Sequence, residues 1–226
     1  IEAGNLDVTF GSDHVIVWRS CRAQPSMQIS VVQYSWATAN GVNVAAYSTG
    51  EEYAGVCLSC LSIHANLLAV PSFSSGDCDD GGAVGLYQVH SNSVTLLSTV
   101  KDTQLNMSTA PLFCRFGRVT LLVDKVLLVG VPDANDGAGV VSVWDVSNPS
   151  APSWLCHWQS QRDGVYRYGQ TMAAQPTDAQ SDAQLVAVGM EGNSIVQIEQ
   201  IIYIGASRTP SCSANSVAAI TAEPLN

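Results

Sequence analysis

The sequence predicts an all-β protein, a β-propeller built from about four four-stranded, blade-like repeats. Three observations carry that expectation. Short runs rich in Val, Ile, Leu, Trp and Tyr are separated by Gly, Pro, Asn, Asp and Ser, the pattern of strands and turns. A paired-strand unit recurs along the chain. An aromatic residue followed closely by glycine stands ahead of each copy, at spacings of 43, 63 and 52 residues, and repeats of that length holding about four strands indicate a propeller.

The clearest unit runs from Lys125 through Val129-Gly-Val-Pro132, turns at Asp133-Ala-Asn-Asp-Gly-Ala-Gly139, and returns along Val140-Val-Ser-Val-Trp-Asp-Val146. Its first strand is apolar on both faces and should be covered on both sides. Its second alternates more, as a strand nearer an edge does. Asn66-Leu-Leu-Ala-Val-Pro71 followed by Ala83-Val-Gly-Leu-Tyr-Gln-Val89 repeats the layout. Gln184-Leu-Val-Ala-Val-Gly189 followed by Ser194 to Ile201 repeats it again. A fainter copy pairs His14 to Trp18 with Met27 to Tyr34. Phe10-Gly11, Tyr53-Ala-Gly55, Phe116-Gly117 and Tyr168-Gly169 mark the starts. The expected domain is residues 1–206, with blades near 6–48, 53–100, 113–160 and 166–205. Residues 207–226, rich in Ser, Ala, Thr and Pro, read as an irregular extension.

Composition narrows the function classes. The chain of 226 residues is 46% hydrophobic and 12% charged, enough apolar material for a core. The longest apolar stretch, around Val119 to Val131, is broken by Asp124 and Lys125, so no membrane insertion is expected. A net charge of −10, with nine basic residues, leaves no basic stripe for nucleic acid. Ile1 in first place reads as a processed mature chain or a fragment, and Asn106-Met-Ser108 is a glycosylation sequon. Of the seven cysteines, Cys57 and Cys60 read as buried strand residues. Cys21, Cys78, Cys114, Cys156 and Cys212 are the disulfide candidates, which places the chain in an oxidising, extracellular or cell-surface setting.

With these motifs in hand, the chain resembles the FG-GAP repeat of integrin-α-type propellers. Phe116-Gly117, Val129-Gly-Val-Pro132 and Gly139-Val-Val-Ser-Val-Trp144 carry the likeness. Val143-Trp-Asp-Val-Ser-Asn-Pro149 is also similar to tryptophan–aspartate and LVIVD propeller repeats. The resemblance implies a calcium loop between the aromatic-Gly strand and the next, but here that connection holds only Asp124. It implies about seven blades where four are countable, so the ring is small and closed, or completed by another chain, or part of a longer precursor.

Three sets of residues are candidates for chemistry. Asp77, Asp79 and Asp80, with Asp133, Asn135 and Asp136 in the matching loop, have the carboxylate-and-glycine pattern that suits calcium. Solvated tight turns explain the same residues and are the preferred alternative. His14, His64, His90 and His157 are scattered and read as structural, since no nucleophile–base motif accompanies them. Trp154, Cys156 and Trp158 would share one face of a regular strand, either packed between blades or presented as a contact surface. The expectation for function is a non-enzymatic binding or assembly module that meets a protein partner, further copies of itself or a glycan. The alternatives are a propeller enzyme acting on glycans through carboxylates and a histidine at the channel mouth, and a lectin-like sugar binder.

Overall fold

The computed structural model describes residues 6–10, 14–19, 28–35, 40–48, 61–72, 82–90, 94–105, 116–160, 167–175, 182–190, 195–204, 208–212 and 218–221. The side chains of residues 6–48, 72 and 219–221 are outside that description. The described backbone is almost wholly strand. Four antiparallel sheets follow one another along the chain. The first holds β1 (Leu6–Phe10), β2 (His14–Arg19), β3 (Gln28–Ser35) and β4 (Asn40–Ser48). The second holds β5 (Ser62–His64), β6 (Leu67–Ser72), β7 (Ala83–Val89) and β8 (Val94–Val100). The third holds β9 (Val119–Val123), β10 (Val126–Val131), β11 (Val140–Asp145) and β12 (Ser153–Gln159). The fourth holds β13 (Tyr168–Ala174), β14 (Ala183–Met190), β15 (Ile195–Ile204), β16 (Thr209–Cys212) and β17 (Ala218–Thr221). Each sheet is a simple up-and-down meander, the blade of a propeller-like fold.

Blades two, three and four are copies in register as well as in outline. Pro71 lies opposite Val84, Gly130 opposite Val141, and Gly189 opposite Val196. Counting from these pairs, alternate residues of the middle strands point to opposite neighbours. Leu67, Ala69, Val84 and Leu86 of blade two share a core with Phe116, Leu127, Val129 and Val140 of blade three. The other face of blade three, through Val126, Leu128, Val141 and Val143, shares a second core with Tyr168, Val186, Val188 and Ile195 of blade four. Both faces of β10 are therefore covered, and every one of its residues is buried. Strand β11 differs from expectation: it runs between β10 and β12, and Val140 to Val143 are buried on both faces.

The aromatic-Gly pairs at the third and fourth blades do one job. Phe116 and Tyr168 are buried in the seam with the preceding blade. The glycine lets two backbones meet. Gly117 has φ +93°, and a Cβ there would come within 2.8 Å of the Pro71 Cβ. Gly169, at φ +86°, would meet Val141 at 2.9 Å and the Gly130 Cα at 3.4 Å. The first copy differs, since Phe10 ends β1 instead of preceding it, so Phe10-Gly11 is out of phase with the others. Tyr53 and Gly55 lie outside the described residues.

The tail also departs from expectation. Segments within 207–226 form β16 and β17, which pair side by side along the same edge of β15. Strand β15 is ten residues long, and one short strand could not satisfy the N–H and C=O groups along that edge. The small polar residues of the tail hide two short strands that the edge of β15 selects.

Candidate functional site

Among the described residues, one cluster of polar side chains lies between blades two and three. The chain leaves β8 and reaches Asp102, whose carboxylate is 1% exposed. Strands β11 and β12 present Ser142 and His157 directly opposite each other. The Ser142 hydroxyl donates to Asp102 Oδ2 at 2.5 Å, and His157 Nε2 lies 2.7 Å from the same oxygen. The backbone amide of Gln104 donates to Oδ1 at 3.0 Å. Trp144 Nε1 donates to the Ser142 oxygen at 2.8 Å. Burial pushes the Asp102 carboxyl up. The hydrogen bonds from His157, Ser142 and Gln104, with the charge of His157, outweigh that and leave it below the usual carboxylate value.

This trio has the residue types of a hydrolytic triad in a different order. In a triad the histidine bridges the serine and the acid, so that the base can take the serine proton. Here the carboxylate is the bridge, and Ser142, with no exposed surface, hands its hydrogen to Asp102. The arrangement fixes the crossover between blades. Ser98 Oγ on β8 donates to the Pro149 carbonyl at 2.6 Å, adding a second tie across the same seam.

Trp154 stands at the rim of this cluster, 37% exposed, with its ring edge-on to His157 at 5.1 Å. Regular alternation would have placed Trp154, Cys156 and Trp158 on one face, and the structure separates them. Val143 pairs with Cys156 but Trp144 pairs with Trp154, so Leu155 is the extra residue of a β-bulge. Past the bulge Trp154 joins His157 towards blade two. Cys156 and Trp158 turn towards blade four, where Trp158 is 1% exposed. Trp158 is a seam residue and not a contact surface.

The seam between blades three and four holds the other polar group. Tyr168 donates to Glu199 Oε1 at 2.7 Å, and Gln197 Nε2 donates to the same oxygen at 2.8 Å. All three are buried. Burial, with the adjoining Glu199 charge and hydrogen bond, drives the Tyr168 hydroxyl far above its ordinary range. Cys156 and Cys212 form a disulfide that ties β12 to β16 across this seam. With its ends 56 positions apart in sequence, the chain-entropy model assigns it about 4 kcal/mol. At the edge, Arg208 stacks over the Tyr203 ring at 4.5 Å and reaches Asp124 at 3.7 Å. Burial and the Asp124 charge, against Arg208, push the Tyr203 hydroxyl up to about 12.

The calcium residues divide. Asp77, Asp79 and Asp80 lie outside the described residues, as do Asn106, Cys21, Cys78 and Cys114. Asp133 faces a cation already supplied by the protein, Arg167, at 3.5 Å. Asn135 and Asp136 take left-handed φ values of 52° and 57° in a tight turn. Among the described residues no three His, Cys, Asp or Glu side chains gather as metal ligands. The loop in which FG-GAP repeats would hold calcium is here the turn between β9 and β10, with Asp124 at φ 49°. Of the histidines, His14 is described in backbone only, His64 lies on β5 and His90 is exposed. The Asp102 network carried no sequence signal, because its members come from one loop and two strands up to 55 residues apart.

No family model matches the chain, and no curated protein matches it. Among solved structures it is similar to a periplasmic gluconolactonase of Pseudomonas aeruginosa, at 12% identity and a TM-score of 0.46, over 97% of this chain and 72% of that one. No helix among the described residues is long and apolar enough to cross a membrane.

Proposed function

We propose that the chain is a non-enzymatic binding and assembly module of an exported protein, built on FG-GAP-like propeller repeats. The observation that carries this reading is the outward face of blade four. Leu185, Val196, Ile202 and Ile204 are exposed there on one side of the sheet, and clustered apolar surface of this kind serves contact. Among the described residues, the polar clusters around Asp102 and Glu199 are turned into the seams and hydrogen-bonded within themselves. The Cys156–Cys212 disulfide supports an oxidising compartment.

A panel of lactones, esters and glycosides tests the non-enzymatic part. The expected result is no turnover above buffer. Turnover that disappears in Asp102→Asn, assayed at a temperature where the variant is still fully folded, would sink the reading in favour of a propeller enzyme.

A sugar-binding reading has one observation of its own, the half-exposed Trp154 beside His157. An aromatic face next to polar groups suits a sugar ring. A glycan array on the wild type and Trp154→Ala separates the two: signal lost in the variant at unchanged stability favours the sugar.

A further inference from the structure

The outermost strand of every blade is interrupted at one register. Pairing with it runs regularly through the fourth residue of the third strand and then breaks. That residue is Val31 in β3, Leu86 in β7, Val143 in β11 and Ile198 in β15. In blades one, two and three the next pair skips one residue of the outermost strand: Val44, Leu97 and Leu155. In blade four Ile198 pairs with Ala218, the next pair is Ile201 with Cys212, and residues 213–217 separate β16 from β17. No uninterrupted stretch of these strands exceeds four residues. The stretches are 40–43 and 45–48, 94–96 and 98–100, 153–154 and 156–159, and 209–212 and 218–221. The residues around the break differ from blade to blade, so the interruption itself is what the four share.

We infer that this interruption closes the blade edges to strand addition, so that strands of other copies do not pair along them. The inference stands whatever the face of blade four binds. Among the described residues, each outermost strand ends its sheet and has one side of its backbone without a strand partner. Such an edge is a template for another strand, and proteins guard it with charge, proline, shortness or a bulge. Charge is missing here: none of the five outermost segments holds Asp, Glu, Lys or Arg, and Pro210 is their single proline. Val94–Val100, uncharged and rich in β-branched and apolar residues, has the composition of a self-pairing segment. Leu96 and Trp154, each next to the extra residue, are 47% and 37% exposed. A bulge takes one residue out of the ladder and sharpens the local twist. An incoming strand then meets only a short ladder, which gains little against the entropy of ordering it. The extra residue is not needed for pairing within the blade. With Leu97 removed, Leu96 would still lie opposite Tyr87 and Ser98 opposite Leu86. With Leu155 removed, Trp154 and Cys156 would keep Trp144 and Val143.

Deletion of Leu97 and, separately, of Leu155 tests this. Light scattering and thioflavin fluorescence are followed over a concentration series, at a temperature where each protein is folded. Each deletion should speed association by about tenfold or more over the wild type, because the edge is now continuous. Adding Thr95→Lys to the Leu97 deletion puts a charge on the straightened edge at an exposed position, and should return the rate to the wild-type level. Trp158→Ala weakens a seam and leaves the edges as they are, so it should associate no faster than the wild type. Deletions that fold and keep the wild-type rate overturn the inference. Growth that Thr95→Lys does not slow, or that Trp158→Ala matches, overturns it too, since it then comes from lost stability. Failure of both deletions to fold also overturns it, because the extra residue would then serve the packing of its own blade.

Discussion

The two described seams of this molecule are the same interface fastened in two ways. Between blades two and three, and again between three and four, equivalent aliphatic positions interlock, and an aromatic followed by glycine fits under the preceding blade. Each seam also has a pair of residues two apart on the third strand of the later blade, facing the earlier one. In blade three the pair is Ser142 and Trp144, and in blade four it is Gln197 and Glu199. Phe116 has no hydroxyl, so Ser142 is served by Asp102 from the crossover loop. At the equivalent place Tyr168 has one, and Glu199 accepts it. The apolar register sets where blades sit, and local chemistry then satisfies whatever polar atoms the seam encloses.

The two fastenings should fail differently. Trp158→Ala removes the largest fully buried side chain from the seam between blades three and four. The expected cost is about 3–5 kcal/mol in chemical denaturation, with proteolysis opening blade four first while the disulfide still holds the fragments together. A loss under 1 kcal/mol would show that this seam does not depend on the tryptophan. Tyr168→Phe makes that seam resemble its neighbour by deleting one hydroxyl. It leaves the buried Glu199 with one bond fewer, and about 1–3 kcal/mol should be lost. An unchanged melt would mean that the two fastenings are interchangeable after all.

This comparison also marks how far the sequence could be read. The strands of β10 and β14 were legible because Val129-Gly130 and Val188-Gly189 each end an apolar run that is buried on at least one face. Phe116-Gly117 and Tyr168-Gly169 were legible as repeat marks, since only glycine tolerates a positive φ with a neighbouring backbone within 3–4 Å. Phe10-Gly11 misled for lack of that context. Trp154 leaves the face it was expected to share with Cys156 and Trp158 because a bulge at Leu155 resets the alternation, and a single inserted residue leaves no compositional trace. Cys156 and Cys212 were both named as disulfide candidates, but which cysteines pair depends on β12 and β16 meeting across a seam. The Asp102 cluster was invisible because hydrogen bonds between a loop and two strands obey no spacing rule.

The smallest expected effect is also the one that separates the seams by pH. Asp102 in the folded protein ionises below its ordinary value near 3.8. A carboxylate depressed in this way adds stability above the unfolded pKa and loses it as pH falls through the folded one. Asp102→Asn should therefore cost about 1–2 kcal/mol at neutral pH, since an amide is a poorer acceptor for the Ser142 hydroxyl and His157. The gap between wild type and variant should hold steady above about pH 5 and narrow below about pH 4. Melting curves from pH 7 to pH 3 measure it. A gap that stays constant through that window would mean that Asp102 acts by shape alone, and the two seams would then differ only in packing.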